Sequence, residues 1–148
     1  MIRFLLCLGL VFAIVPQGFV PQSLAQTRLT VPPANWCVYD GESIWHDRRV
    51  DAQEIARITI DIECEDNRVA RLRVKTETKC RPAYCSWNFA EDVFVSGGTI
   101  RAVFLTFTAQ RSMRIQLAGN RINVEVENDY NQAGRMTDYM RTTLPLED

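Results

Sequence analysis

His46 is the only histidine in the sequence, and it stands beside an acid in Trp45-His46-Asp47. A histidine with a carboxylate neighbour suits general-base work. Adjacent residues on a strand point to opposite faces, however. No serine sits in a Gly-x-Ser-x-Gly turn that would supply a nucleophile. Glu63, Glu65, Glu125, Glu127 and Asp129 could provide the paired carboxyls of glycoside hydrolysis. They fall mostly on the polar phase of alternating segments, where charges commonly keep strand edges solvated and apart. Metal chemistry has little to work with: one histidine, no Cys-x-x-Cys and no Asp-x-Asp-x-Asp-Gly loop. The sequence therefore predicts no catalytic residue, no metal site and no cofactor.

The cysteines carry a clearer message. Cys7 lies in an N-terminal apolar run, which leaves Cys37, Cys64, Cys80 and Cys85. An even number in an exported chain reads as a disulfide framework, with three pairings open. Cys80 and Cys85 can close a short loop that turns at Pro82, and Cys37 would then pair with Cys64. Trp36, Trp45 and Trp87, with Tyr39 and Tyr84, stand near these cysteines. Trp87, Tyr84, Arg81 and Trp45 are the candidates for ligand contact, although aromatics beside disulfides commonly pack a core. A barrel of about eight strands can hold one small ligand. The stripe Arg68, Arg71, Arg73, Lys75, with Lys79 and Arg81, would suit an anionic polysaccharide or a lipid headgroup. Asp61 and Glu63, on the expected partner strand of a hairpin turning at Asp66-Asn67, would neutralise it.

The elements that must position these residues begin after a leader. Met1-Ile2-Arg3 precedes an apolar run from Phe4 to Val15, and Ser23-Leu24-Ala25 has the small residues of a cleavage site. That is the three-part pattern of a secretory signal, with an apolar run too short for a good membrane anchor. The expected organisation is a signal peptide at 1–25, an extended linker at 26–35 and one disulfide-bonded domain at 36–148. Formal net charge is −1 for the chain of 148 residues and becomes −2 once Arg3 leaves. So balanced a surface argues against nonspecific nucleic-acid binding and against a polybasic membrane patch.

Within the domain the apolar residues alternate. Ile58, Ile60, Ile62 and Cys64 do so, as do Leu72 and Val74, then Met113, Ile115 and Leu117, then Ile122, Val124 and Val126. Period two with one charged face predicts half-buried antiparallel strands. Ile100 to Phe107 is apolar more continuously, which predicts a strand covered on both sides. Turn residues recur at Glu65-Asp66-Asn67, Ser96-Gly97-Gly98, Gly119-Asn120 and Asn131 to Gly134. The fold class is all-β, a small antiparallel barrel or sandwich of about 6–8 strands, counted from this spacing. Good helix formers at Ala52, Gln53, Glu54 and Ala56 predict one helical turn within Val50 to Ile58.

The string Lys79-Cys80-Arg81-Pro82-Ala83-Tyr84-Cys85-Ser86-Trp87 resembles the Lys-Cys-x-Pro-x-x-Cys-x-Trp signature of small bacterial secreted β-domains without an assigned function. Trp45-His46-Asp47, the segment Ile55 to Ile60, and Gly134-Arg135 with Tyr139 are similar too, so the likeness spans about 45–144. It departs at Asn88, where the pattern carries glycine, and in the additional pair Cys37 and Cys64. The resemblance implies the β-fold and a Cys80–Cys85 bond, and no activity. The sequence thus points to a non-enzymatic secreted or periplasmic binding module, working through a barrel mouth or a strand edge. An envelope protein, a glycan or a small apolar ligand could be its partner. An envelope hydrolase acting on glycan or peptide, using His46 and nearby acids, is the alternative. A proteinase-inhibitor-like domain presenting Tyr84 on the Cys80–Cys85 loop is another. The leader makes a direct prediction: intact mass of the exported protein should place its N-terminus at Gln26, and a membrane-bound species retaining Met1 to Ala25 would refute cleavage.

Overall fold

The computed structural model describes residues 35–147. The expected signal peptide and all of the linker but Asn35 lie outside the described residues. A 3₁₀ turn at Trp36–Tyr39 leads into nine strands: β1 Gly41–His46, β2 Ile55–Glu65, β3 Arg68–Lys79, β4 Tyr84–Phe89, β5 Asp92–Ser96, β6 Thr99–Leu105, β7 Ala109–Leu117, β8 Arg121–Tyr130 and β9 Asp138–Pro145. They form two antiparallel sheets, β1-β2-β3-β4 and β5-β6-β7-β8-β9, in which every neighbour in space is a neighbour in sequence. There is no closed barrel among the described residues, and the strand count exceeds the expected 6–8 because β4 and β5 are short and lack a clean apolar phase.

The alternation explains the sheets. In β8 the buried residues Ile122, Val124 and Val126 alternate with exposed Asn123, Glu125 and Glu127. A slip of one residue would turn every one of these side chains over, so burial fixes the register. Tight hairpins reinforce it. Asp66 and Asn67 both have positive φ (50° and 58°), the left-handed pair that suits the twist of the flanking strands. One apolar core takes residues from both sheets: Ile58, Ile60, Ile62 and Val74 from the first, and Ile100, Phe104, Ile115, Val124 and Leu144 among those of the second. Trp36, Trp45 and Trp87 complete it. Each fully buried aliphatic side chain is worth about 1.5–3 kcal/mol relative to exposure. The chain crosses between sheets at Ala90 and Glu91, whose N–H groups donate to Val74 O (2.9 Å) and Val103 O (2.8 Å). On the other side an isolated bridge joins Trp45 to Leu146, and Glu147 N donates to Ile44 O at 2.8 Å.

Two expectations need correction. Val50 to Glu54 forms turns, not a helical turn. Gln53 N donates to Lys79 O (2.8 Å) and the Lys79 ammonium donates to Val50 O (2.7 Å), so β3 holds the segment, and the internal bond from Glu54 N to Asp51 O (3.2 Å) closes only a turn. Nor is β6 covered on both sides, since Arg101 and Leu105 are exposed and only Ile100, Ala102 and Phe104 are buried. The apolar residues of its outer phase face solvent.

Both disulfides form as the spacing predicted, Cys37–Cys64 with Cα atoms 5.9 Å apart and Cys80–Cys85 with Cα atoms 5.6 Å apart. Two such bonds are typical of proteins that fold in oxidising compartments. No helix among the described residues is long and apolar enough to cross a membrane. The longer loop spans 27 residues and the shorter 5, so loop closure assigns about 3.5 and about 2 kcal/mol to the two bonds. Cys37→Ser should therefore lower the melting temperature more than Cys85→Ser. Thermal unfolding of the two single mutants followed by circular dichroism checks the order.

Candidate functional site

His46 lies at the end of β1, buried and opposite Arg57 of β2. Its acid partner is not Asp47, whose carboxylate accepts from Arg49 N at 2.9 Å and Arg49 Nε at 3.2 Å. Glu147 takes that place, with its Oε1 3.4 Å from Nδ1, while Nε2 lies 3.1 Å from the Tyr84 hydroxyl. In the neutral ring Nδ1–H donates to the carboxylate and Nε2 accepts from the phenol. The bond from His46 is the main reason that the Glu147 carboxyl is held below its usual value. Tyr84 reaches His46 from the Cys80–Cys85 loop, and the Arg57 guanidinium stacks on its ring at 5.3 Å. An acid, an imidazole and a hydroxyl in a row could move a proton. Here the histidine side chain is only 3 % exposed and both of its nitrogens are engaged; a hollow of about 440 Å³ is lined by Glu147 and Ile44 but not by His46. The arrangement fastens the disulfide loop to the C-terminal segment.

The four ligand-contact candidates do not converge. Trp45 is fully buried, with its indole N–H donating to Ser43 Oγ at 3.2 Å. Trp87 is buried edge-on to Phe104, and the Arg111 guanidinium covers it at 4.1 Å. Burial pushes Arg111 below the usual arginine value, and its Nε has no hydrogen-bond partner. Arg81 and Tyr84 are on the surface. Two candidates therefore belong to the core and two to the loop. The centre of the basic stripe is neutralised as expected, Arg71 by Glu63 at 2.8 Å and Arg73 by Asp61; Lys75 pairs with Glu77 at 3.1 Å, Lys79 donates to the carbonyls of Arg48 and Val50, and Arg68 and Arg81 form no ion pair among the described residues. Asn88, where the signature carries glycine, has φ 65°, a left-handed conformation that asparagine tolerates better than most residues.

The solvent face of the five-stranded sheet is arranged differently. Antiparallel register sets Phe94, Arg101, Arg114, Glu125 and Arg141 in one row across β5 to β9. The adjoining row is Val103, Ser112, Glu127 and Tyr139. An open groove of about 420 Å³ crosses these rows. A second hollow of about 350 Å³ continues it over Gln116, Asn123 and Thr143. Phe94 is 46 % exposed and Tyr139 73 % exposed, at opposite sides of the sheet. Glu125 turns to Arg141 at 3.0 Å. Arg101 and Arg114 stand directly opposite each other, and neither forms an ion pair among the described residues. Sequence reading missed this face, because which charges oppose each other depends on register. The available signal was the continuous apolar run of β6, whose outer member Val103 lines the groove.

Compared with known proteins, the chain matches no family model, no curated protein and no solved structure at a significant level. The site therefore has to be read from its own geometry. Directly opposed like charges on a sheet cost about 0.2–1 kcal/mol. Arg101→Gln should accordingly raise the melting temperature by about 1–3 °C in a domain of this size. Calorimetry of the variant measures it, and a fall in melting temperature would mean that Arg101 has a stabilising partner.

Proposed function

We propose that the chain is a non-enzymatic binding module, secreted or periplasmic once residues 1–25 are removed, and that it binds on the solvent face of its five-stranded sheet. The observation that carries this reading is the groove, where two unpaired, opposed arginines lie between the exposed rings of Phe94 and Tyr139. A large exposed aromatic disfavours solubility and a directly opposed pair of like charges disfavours folding, and a ligand site gives a reason for them to sit together. We read the two sheets as a sandwich. Its interior is filled by side chains, so a face is a better place for a ligand than a lumen. The hydrolase reading draws on the Glu147–His46–Tyr84 row, whose histidine side chain is only 3 % exposed with both nitrogens engaged. The inhibitor reading draws on the Cys80–Cys85 loop, whose Tyr84 hydroxyl is tied back to His46.

The test is an amide-shift titration of the isotope-labelled mature domain with soluble glycan and protein fractions of its own cell envelope. Perturbations should map to the strands from β5 to β9, and Tyr139→Ala should reduce them. Perturbations confined to Tyr84, His46 and the Cys80–Cys85 loop would overturn the reading and favour the inhibitor or hydrolase alternative.

A further inference from the structure

We infer that the ligand of this face is a glycan chain in which a carboxylate-bearing sugar is flanked by neutral ones, with the carboxylate held between Arg101 and Arg114. The inference rests on the binding-module reading and specifies its ligand. It begins from a contrast between the two sheets. On the four-stranded sheet the exposed arginines Arg71 and Arg73 each meet an acid at the directly opposite position, Glu63 and Asp61. On the five-stranded sheet Arg101 meets Arg114. Glu125, which also lies opposite Arg114, is engaged by Arg141 instead. Two guanidiniums on adjacent strands, about 5 Å apart at the backbone, offer planar donor forks to a single carboxylate. A bound carboxylate would convert a repulsive pair into an attractive trio.

The rest of the groove selects the scaffold that carries this carboxylate. Every strand of the face is hydrogen-bonded on the sides it presents to its neighbours, so a peptide laid across it would find no backbone partners. Its own amides would lose water without compensation. A glycan carries hydroxyls that side chains can satisfy and ring faces that aromatics can cover. Gln116, Asn123 and Thr143 line the continuation of the groove, and Phe94 and Tyr139 supply aromatic surface at its two sides. Acidity must be localised, because Glu127 also lines the groove and would repel a second carboxylate over β8. The acidic sugar therefore sits over β6 and β7, and its neutral neighbour sits over β8.

The probe is an unsulfated hexasaccharide alternating glucuronate with an N-acetylated hexosamine, titrated into the full mature protein by calorimetry and by amide shifts. Binding should perturb β5 to β9, and raising salt from about 50 to about 200 mM should weaken it, because the contact is ionic and exposed. Arg101→Gln and Arg114→Gln should each weaken binding about tenfold or more, the scale of one charge-assisted hydrogen bond lost. Arg71→Gln, on the other sheet, should leave binding within about twofold. Reducing the carboxyls to alcohols should cost about as much as losing one arginine. Equal binding of the reduced hexasaccharide would overturn the acidic class while leaving the face as the site. Tighter binding of a glutamate-rich peptide to the same face would overturn the glycan scaffold. Absence of any shift on β5 to β9, with the hexasaccharide or with envelope fractions, would overturn the binding-module reading as well.

Discussion

Trp45 is fully buried at the point where the two sheets come together on one side of the molecule. It lies opposite Ile58 in the first sheet, and its backbone bridges Leu146 just beyond the last strand of the second. Tyr39 packs edge-on against its ring at 5.2 Å, which brings in the 3₁₀ turn and, through Cys37, the bond to Cys64. A tryptophan buried here is both filler and fastener, since the same residue supplies core volume and a backbone bridge to the segment that follows β9. Much else depends on it. Glu147 is brought to His46 by the Trp45–Leu146 bridge and by its own N–H bond to Ile44 O, and Tyr84 meets His46 across the sheet that pairs β1 with β2 and β3 with β4.

How much of this was legible in the sequence follows from how each element is stabilised. β2, β3, β7 and β8 are long, bury one phase and expose the other, so their period is written in the residue types. β4 buries only Trp87 and β5 buries no residue fully, so neither carries the alternation that marks a strand. Their place comes from pairing with β3 and β6. The helix formers of Val50 to Glu54 lost to the tertiary context, where the backbone and ammonium of Lys79 capture them. The Cys80–Cys85 bond was readable because a separation of 5 residues keeps the two cysteines close, and Cys37–Cys64 is then the remaining pair.

The candidate site was hardly legible at all. His46 and its acid are 101 residues apart, and nothing local to Asp47 shows that Arg49 will claim it. The groove is harder still. Arg101 and Arg114 are unremarkable polar-phase residues until the β6–β7 hairpin register sets them face to face. Charge opposition across strands is a property of pairing, and pairing is the least local information in a β-fold.

The two sheets divide the work. Both disulfides and the Glu147–His46–Tyr84 row fasten the four-stranded sheet, whose solvent face is also the one with charges matched across strands. Covalent ties and charges matched across strands favour stability there. The five-stranded sheet has no disulfide and depends on its long registered hairpins and on the shared core. It alone carries opposed arginines flanked by exposed rings. Opposed charges of this kind persist only where the surrounding structure can tolerate the cost. The core beneath β6 to β8, with Ile100, Phe104, Ile115, Ile122 and Val124 fully or almost fully buried, supplies that tolerance from below. The face above can then be shaped by what it binds, while the opposite sheet keeps the fold closed.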